Sequence, residues 1–454
     1  MSDPYLSAHE VVPGVFLLAG LRPASIRDQV LRAINVVDRL VCTGRLTAGR
    51  SLAVVGAGAA GVAAAMQAVR RGTAVTMLDA GRIPFALQFG NQSRFIHPTQ
   101  YDWPCDHAGG PAIPLSAGSP VSPLPLVPDT PLNLALGWTA ALSACIVAHP
   151  RLLRIIARAQ VATPALSGGR VLMAWTGPNT GSGLFDEVIW AAGMADEETR
   201  VFGPTRSLVY EGPKFWTTDR LQRLAGPGNF IVVSGGGDGA LQDYLRVAFR
   251  RERFDHLISS LPVPPKALAL VQSAEDRGAR SAAWERSGRG GAIAATRRLA
   301  ELAAAIGRAA TLSLADPRFV ASLTYELRGP QARFALVHRA PHLSAIYPLN
   351  RFLVEVVRRH LVTHGLDTVF PGEEIVDVKR ISGPGGSPTG SPPLHPSAAL
   401  GAWHRVSFSN ASGALPRDLD VNAILVRHGP RAPSTPIPHP GVLGQPCQVL
   451  PYGV

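Results

Sequence analysis

Side chains that can transfer protons and bind anions are concentrated between Gln88 and His107. His97 has a side chain of the type that transfers protons near neutral pH, and Asp102 can orient or activate its imidazole. Tyr101 can donate a hydrogen bond, and Arg94 can hold an acidic group. These residue types within one short segment predict an active site with acid–base chemistry.

Other interpretations of this segment stay open. Two X-Pro steps, His97–Pro98 and Trp103–Pro104, fit a structural loop whose rings enter the core and whose charges face solvent. The two histidines and two aspartates of the segment lack the ligand spacing of an established metal site, so no metal is expected. Cys105 is interpreted as a bystander thiol rather than a redox partner of a cofactor.

The stretch from Ser51 to Gly81 has the order strand, glycine turn, helix, strand. Gly56 permits a tight turn, Gly58 lets the backbone approach a pyrophosphate, and Gly61 lets the helix pack closely on the strand. Asp79 follows Gly56 by 79 − 56 = 23 residues, where an acid at the end of the second strand accepts ribose hydroxyls. This arrangement predicts a dinucleotide site.

A second glycine turn follows the apolar run Phe230–Val233, with Gly235, Gly237 and Ala240 in the G-x-G-x-x-A pattern. Between the two turns, residues 186–193 read DEVIWAAG, an acid followed by an apolar strand and a small-residue turn. Two such turns 235 − 56 = 179 residues apart are more specific than either one alone.

This layout resembles the flavoproteins with two dinucleotide-binding domains, the superfamily that includes glutathione-reductase-like and thioredoxin-reductase-like enzymes and the class B monooxygenases. The DEVIWAAG stretch is similar to the strand that returns the chain to the FAD domain, and GGGDGA at 235–240 is similar to the nicotinamide turn. The resemblance implies an α/β fold with two Rossmann-like domains, three layers and mainly parallel sheets, the second domain being inserted into the first.

The resemblance also implies the cofactors and their contacts. FAD is expected at the first turn and NAD(P)H at the second. The expected FAD contacts are Gly56, Gly58, Ala59, Ala60, Gly61, Asp79, Ala80 and Gly193. The expected NAD(P)H contacts are Gly235, Gly237, Asp238 and Ala240, although Asp238 also fits a residue that simply favours the start of a helix.

The sequence lacks some motifs of the superfamily, and their absence limits the reactions that the resemblance implies. The chain has no redox cysteine pair after the first turn, so disulfide reduction is not supported. No Gly-Asp motif that would anchor the ribityl chain of FAD follows Gly429, and only Arg250, Arg251 and Arg253 are candidates for a 2′-phosphate. The expected activity is reduction of FAD by NAD(P)H, followed by reduction of a small-molecule substrate or activation of oxygen, as in monooxygenation or amine and imine chemistry.

The predicted domains are a helical extension at 1–50, a FAD-binding domain at 51–200 completed by 432–454, and an NAD(P)-binding domain at 201–431. The extension holds a helix from Ser25 to Cys42 with an apolar face and a polar face of Arg27, Arg32 and Arg39. In the second domain, Asp255–Leu261 is a candidate strand. A helical insertion at about 262–345 and a flexible insert at 382–399 are also expected.

Composition argues against several classes of function. The formal charge of +12 comes with 41 arginines among 44 basic residues, scattered along the chain, so specific nucleic-acid binding is not expected. The four cysteines are far apart, which disfavours a disulfide scaffold or zinc site. The start lacks the pattern of a secretory signal, and Leu132–Ala148 is interpreted as a buried helix, so a cytoplasmic protein without a membrane segment is expected.

Two other functions stay open. The first is a non-catalytic FAD- or NAD-binding sensor in which the helix from Ser25 to Cys42 docks a partner protein. The second is an enzyme that consumes NAD itself. Whether the chain forms a homodimer is also open.

Overall fold

The structure is a computed structural model that describes residues 3–18, 25–96, 103–104, 122–193, 197–251, 253–284, 289–329, 332–339, 343, 347–390, 402–409 and 418–429. The helices are α1 (Pro4–His9), α2 (Ile26–Cys42), α3 (Ala59–Arg70), α4 (Ala86–Phe89), α5 (Pro131–Ala148), α6 (Leu221–Leu224), α7 (Asp238–Ala248), α8 (Phe254–Ser260), α9 (Pro265–Trp284), α10 (Arg289–Leu314), α11 (Pro317–Glu326) and α12 (Pro348–Val362).

The strands of the first half are β1 (Glu10–Val12), β2 (Val15–Leu17), β3 (Ser51–Val55), β4 (Ala74–Asp79), β5 (Leu153–Ala157), β6 (Gln160–Val161), β7 (Ala165–Ser167), β8 (Arg170–Thr176), β9 (Gly181–Phe185) and β10 (Glu187–Trp190). Those of the second half are β11 (Arg200–Phe202), β12 (Leu208–Glu211), β13 (Phe230–Ser234), β14 (Arg333–His338), β15 (Val369–Pro371), β16 (Ile375–Ile381), β17 (Pro388–Gly390), β18 (His404–Phe408), β19 (Asp418–Val421) and β20 (Ala423–Val426).

The first sheet has the strand order β1-β2-β10-β3-β4-β5 and is parallel apart from β1. Helices α2 and α3 cover one face, where Val54 and Ile189 join the main core of this half. The antiparallel strands β6–β9 cover the other face, where Met173 and Trp175 pack with Val188. A sheet buried on both faces explains why β3 and β10 are continuous apolar runs.

The N-terminal segment is part of this first domain and not only a helical extension. β2 pairs with β10 in parallel register, Val15 opposite Val188, and so extends the sheet beyond the return strand. Domain completion by 432–454 lies outside the described residues.

The polar face expected for α2 is wrong at two of its three arginines: Arg27 and Arg32 are buried, whereas Arg39 is partly exposed. Arg27 donates to Asp28 through Nη2 at 2.7 Å, so the chain itself supplies a counter-charge to its guanidinium. Cys42 at its last turn is the exposed residue of the helix. The helix therefore covers its own sheet, and docking of a partner on it stays a prediction.

The second sheet has the order β15-β14-β13-β20 and is wholly parallel. Helices α7, α10 and α12 lie over one face, with Leu241, Ile306 and Phe352 in a single core cluster. The antiparallel strands β16, β18 and β19 lie over the other face, where Val378 and Val406 are buried. The α/β class and the three-layer, mainly parallel architecture are those expected.

The sequence analysis placed the strand that follows β13 in this sheet at the wrong residues. Residues 254–260 form α8 rather than a strand, because Leu257 and Leu261 are buried four residues apart on one helical face. The second strand is β14, inside the segment expected to be a helical insertion, which is otherwise helical from α9 to α11. Within the flexible insert, β17 pairs with β16, and residues 391–399 lie outside the description.

The two halves repeat one topology. The order β5-β4-β3-β10 in the first sheet corresponds to β15-β14-β13-β20 in the second. In each half a strand (β3 or β13) is followed by a glycine turn and a helix, and a later strand (β10 or β20), which comes after an antiparallel layer, pairs in parallel with that strand. All strands of the first sheet precede residue 191, so insertion of the second domain into the first stays a prediction that depends on residues after 429.

Helix α5 is only partly buried. Leu134, Trp138 and Leu142 enter the core, whereas Leu136 and Val147 are exposed. It is the one helix among the described residues whose length and apolar composition would suffice to cross a membrane, and one third of it is buried inside the molecule.

Candidate dinucleotide sites

The first glycine turn accepts no side chain at two of its positions. Gly56 has φ 102°, and a Cβ there would overlap the carbonyl oxygen of Ala191 and lie 2.8 Å from its carbon. A Cβ on Gly61 would overlap the Gly56 carbonyl oxygen. Each of these glycines therefore allows a close approach, of β10 in the first case and of helix α3 in the second.

Gly58 differs from its two neighbours. It is the N-cap of α3, its φ is −75°, and no atom of the described part of the chain lies within 4 Å of a Cβ built on it. Among the described residues no side chain caps the helix, so the first N–H groups of α3, from Ala59 and Ala60 onward, are left for a ligand or solvent to bind. These features fit a pyrophosphate bound at the helix N-terminus.

Asp79 ends β4 beside this turn. Its Oδ1 accepts a hydrogen bond from Ala57 N at 2.8 Å, and its Oδ2 accepts one from Gly81 N at 2.9 Å. These two bonds fix the carboxylate and leave lone pairs on both oxygens for ribose hydroxyls. Ala80 follows directly, and Gly193, with φ 87°, turns the chain after β10 at the same edge of the sheet.

The second turn repeats this construction. Gly235 has φ 144°, and a Cβ on it would overlap the carbonyl oxygen of Arg427 just after β20. Gly237 is the N-cap of α7, with open space around it among the described residues, and Ala240 is buried where the first turn has Gly61. Asp238 Oδ1 accepts hydrogen bonds from Tyr347 N and Asn350 Nδ2, both at 2.9 Å, so its carboxylate is held by the start of α12.

The two turns differ at the residues that surround them. Where β4 ends in Asp79, β14 ends in His338 and is followed by Arg339, whose side chain is 86% exposed and lies 3.5 Å from Glu374. The first site thus has a carboxylate at its strand end, whereas the second has an exposed arginine that is paired with Glu374. After β20, His428 Nε2 lies 2.9 Å from Ser234 Oγ, at the position of Ala192 in the first half.

The arginines proposed for a 2′-phosphate lie at the other end of α7. The helix has 11 residues, so Arg250 and Arg251 are about 16 Å from its N-terminus. Arg251 Nε also donates to Glu326 at 2.6 Å. The structure therefore favours Arg339 over these residues as a cation near the second turn.

Of the predicted catalytic residues, His97, Tyr101 and Asp102 lie outside the described residues. Arg94 is described, and its buried guanidinium donates through Nη2 to Asp243 Oδ2 at 3.0 Å and through Nε to Phe215 O at 2.6 Å. Its cation faces a carboxylate of its own chain, so a role in binding an acidic substrate stays a prediction.

The N-terminal segment reaches the first site, which the sequence pattern did not predict. Because β2 is parallel to β10, the carboxyl end of β2 and the start of α2 lie at the edge that carries Gly56 and Gly193. Ser25 caps α2, its Oγ accepting from Asp28 N at 3.1 Å. The signal was available as the apolar run Val15–Leu18 ahead of a capped helix, the order of a strand and a helix.

No protein-family model matches the chain, and no curated protein matches it by sequence. Solved structures are similar: thioredoxin reductase from T. acidophilum (12% identity, TM-score 0.38, covering 84% of this chain and 77% of that one), bacillithiol disulfide reductase from Staphylococcus aureus (11%, 0.38, 84% and 77%) and ornithine N-hydroxylase from Kutzneria sp. 744 (12%, 0.36, 84% and 80%).

These TM-scores are below 0.5, so the similarities carry no statement on activity. The class of the protein rests instead on its own geometry. Two mainly parallel sheets, one with a glycine turn between β3 and α3 and the other with a glycine turn between β13 and α7, define a protein with two Rossmann-like α/β domains.

Proposed function

We propose that this protein is an FAD-dependent oxidoreductase that uses NADPH. The observation that carries the proposal is the presence of two equivalent glycine turns in one chain, each at a helix N-terminus, with an aspartate at the end of the neighbouring strand in one case and an arginine just after it in the other. Asp79 beside the first turn suits the free ribose hydroxyls of FAD. Arg339 beside the second suits the 2′-phosphate of NADP(H).

Each part of the first site has a role in holding FAD. The N-terminus of α3 binds the pyrophosphate, Asp79 binds the adenine ribose, and the start of α2 lies at the same edge to receive the rest of the molecule. When bound, FAD supplies the redox chemistry, accepting a hydride from NADPH and passing electrons to a small-molecule substrate or to oxygen. The reaction with the substrate is a monooxygenation or a reaction of amines and imines. The protein is located in the cytoplasm.

Absorption spectra of the purified protein, before and after reconstitution with FAD and gel filtration, test this proposal. We expect a visible flavin spectrum that remains with the protein, and NADPH oxidation that depends on the flavin. Stable FAD binding without NADPH oxidation would instead indicate a non-catalytic nucleotide-binding module. Release of nicotinamide from NAD would indicate a dinucleotide-consuming enzyme.

Nucleotide preference is predicted to depend on Arg339. Replacing it with alanine removes the cation that would pair with the 2′-phosphate, a hydrogen-bonded charge pair worth about 1.5 kcal/mol or more. We expect the KM for NADPH to rise about tenfold while the KM for NADH stays unchanged. Arg318→Ala, at an equally exposed arginine on α11, serves as the control. Equal changes for both nucleotides in Arg339→Ala would contradict the assignment.

A further inference from the structure

A buried ionic cluster joins the two halves of the chain beside the second glycine turn. All of its side chains but Glu197 are at most 5% exposed. The cluster consists of Arg94, Glu197, Asp219, Asp243, Arg246 and Arg427. Its three guanidinium groups face three carboxyl groups, so its charges are matched.

Asp243, on α7, lies at the centre of the ionic cluster. Its Oδ2 accepts hydrogen bonds from Arg94 Nη2 at 3.0 Å and from Arg427 Nε at 2.8 Å. Its Oδ1 accepts one from Arg246 Nη1 at 3.0 Å. Arg246 in turn donates to both carboxylate oxygens of Asp219, at 2.7 and 2.9 Å. One carboxylate thus ties together three segments that are remote in sequence.

Backbone contacts around the cluster join the same two halves. Arg246 Nη2 donates to Ser93 O at 2.9 Å, and Asp219 N donates to Ser93 Oγ at 3.0 Å. Asn91 Nδ2 donates to Thr217 O at 3.2 Å, and Thr218 Oγ1 donates to the Gly90 carbonyl at 3.0 Å. Residues 90–94 belong to the first half and residues 215–219 to the second, so the junction is both polar and buried.

The position of the cluster links it to both sites. Asp243 lies on the helix whose first residues form the second glycine turn, and the carbonyl of Arg427 packs against Gly235 within that turn. Arg94 comes three residues before His97 in the sequence, and its own hydrogen bonds to Asp243 and Phe215 tie residue 94 to the second half. A shift of one half against the other would separate the Arg94 guanidinium from Asp243, whereas Arg246 and Arg427 would stay with Asp243 in the second half.

We propose that the ionic cluster is a positioning device that holds the second glycine turn in one orientation against the first half, so that hydride transfer occurs without rotation of the halves. This inference rests on the proposed function for its kinetic part. Separating the halves would unpair the buried Arg94 guanidinium from Asp243, and leaving a buried charge without its partner is costly in a low-dielectric interior. Arg94 is accordingly a positioning residue that acts through Asp243.

Two substitutions of Arg94 test the proposal. Arg94→Met removes the cation and keeps most of the side-chain volume, whereas Arg94→Lys keeps the charge without the planar fork. Arg297→Met, at an exposed Arg–Glu pair on α10, is the matched control. Spin labels on the native exposed Cys42 in the first half and on Tyr325→Cys in the second report the distance between the halves, after the other three cysteines are replaced by alanine.

The expected results separate positioning from simple binding. In Arg94→Met, the distance distribution should broaden at least about twofold, and flavin reduction at saturating NADPH should slow at least about tenfold, with the Kd values for FAD and NADPH within about twofold of the parent. For Arg94→Lys, the width of the distance distribution and the rate of flavin reduction should lie between those of the parent and those of Arg94→Met. For Arg297→Met, both should match the parent.

An unchanged distance distribution in Arg94→Met would overturn the proposal, and so would an unchanged rate of flavin reduction. If the protein takes up no flavin, the proposed function fails, and the spin-label distances still decide whether the cluster fixes the halves. If Arg94→Met does not fold, Arg94→Lys and Thr218→Val, which removes the bond to Gly90, give the same readouts and the same criteria.

Discussion

Gly61→Ala is expected to disrupt the first domain, whereas Gly58→Ala should leave it folded and weaken FAD binding strongly. At Gly61 the added methyl overlaps the Gly56 carbonyl oxygen, so helix α3 must move away from β3 at a cost of about 3 kcal/mol. At Gly58 the methyl points into the open space in front of α3, where the pyrophosphate would bind.

Chemical denaturation and FAD titration distinguish the two effects. We expect Gly61→Ala to lower the free energy of unfolding, and Gly58→Ala to leave it within about 0.5 kcal/mol of the parent while weakening FAD binding about 100-fold or more. Gly137→Ala on the exposed side of α5 is the control, with a gain of about 0.5–1 kcal/mol and unchanged FAD affinity. Tight FAD binding by Gly58→Ala would show that FAD does not bind at the N-terminus of α3.

Asp243→Asn should be the most destabilising single substitution in the ionic cluster. The neutral amide leaves three buried guanidinium groups facing only Asp219 and Glu197, and breaking a buried charge pair in this way costs about 3–5 kcal/mol. Urea denaturation measures the loss. Glu301→Gln, at the exposed pair on α10, is the control and should change the free energy of unfolding by less than about 0.5 kcal/mol. A similarly small change in the free energy of unfolding of Asp243→Asn would show that the ion pairs of Asp243 do not stabilise the fold.

Asp243 also makes the stability contributed by the ionic cluster depend on pH, and this stability decreases in acid. Burial raises the pKa of its carboxyl, but the three surrounding guanidinium groups outweigh this and hold the pKa well below its ordinary value. The stabilisation is therefore present above the unfolded pKa of about 3.9 and is lost as pH falls below it. Below about pH 4 the parent should lose free energy of unfolding more steeply than Asp243→Asn, as urea midpoints at successive pH values will show.

The parts of the fold that depend on local patterns were predictable from sequence. The first glycine turn, the return strand β10 and the second glycine turn each combine an apolar run with glycines or small residues at fixed spacing. The hairpin at Ser167–Gly169 follows from two glycines with positive φ between short strands. Helices α10 and α12 follow from composition and apolar spacing, since alanine, leucine and arginine in α10 outweigh its three glycines.

Long-range pairing was the part that the sequence did not predict. The joining of β2 to β10 is a parallel pairing between residues more than 170 positions apart, and no local pattern encodes such a register. β14 was missed because Asp255–Leu261 was assigned as the second strand. The burial of Arg94 also depends on Asp243, a partner 149 residues away, so its residue type alone suggested an exposed anion-binding group.

The most direct test of the proposed function is anaerobic addition of NADPH to the FAD-loaded protein, followed by stopped-flow absorption. The proposal predicts that the visible flavin band disappears with a single-turnover rate that saturates with NADPH concentration, and that NADH acts more weakly. A protein that retains FAD but whose flavin band is unchanged by NADPH, or one that retains no FAD at all, would contradict it.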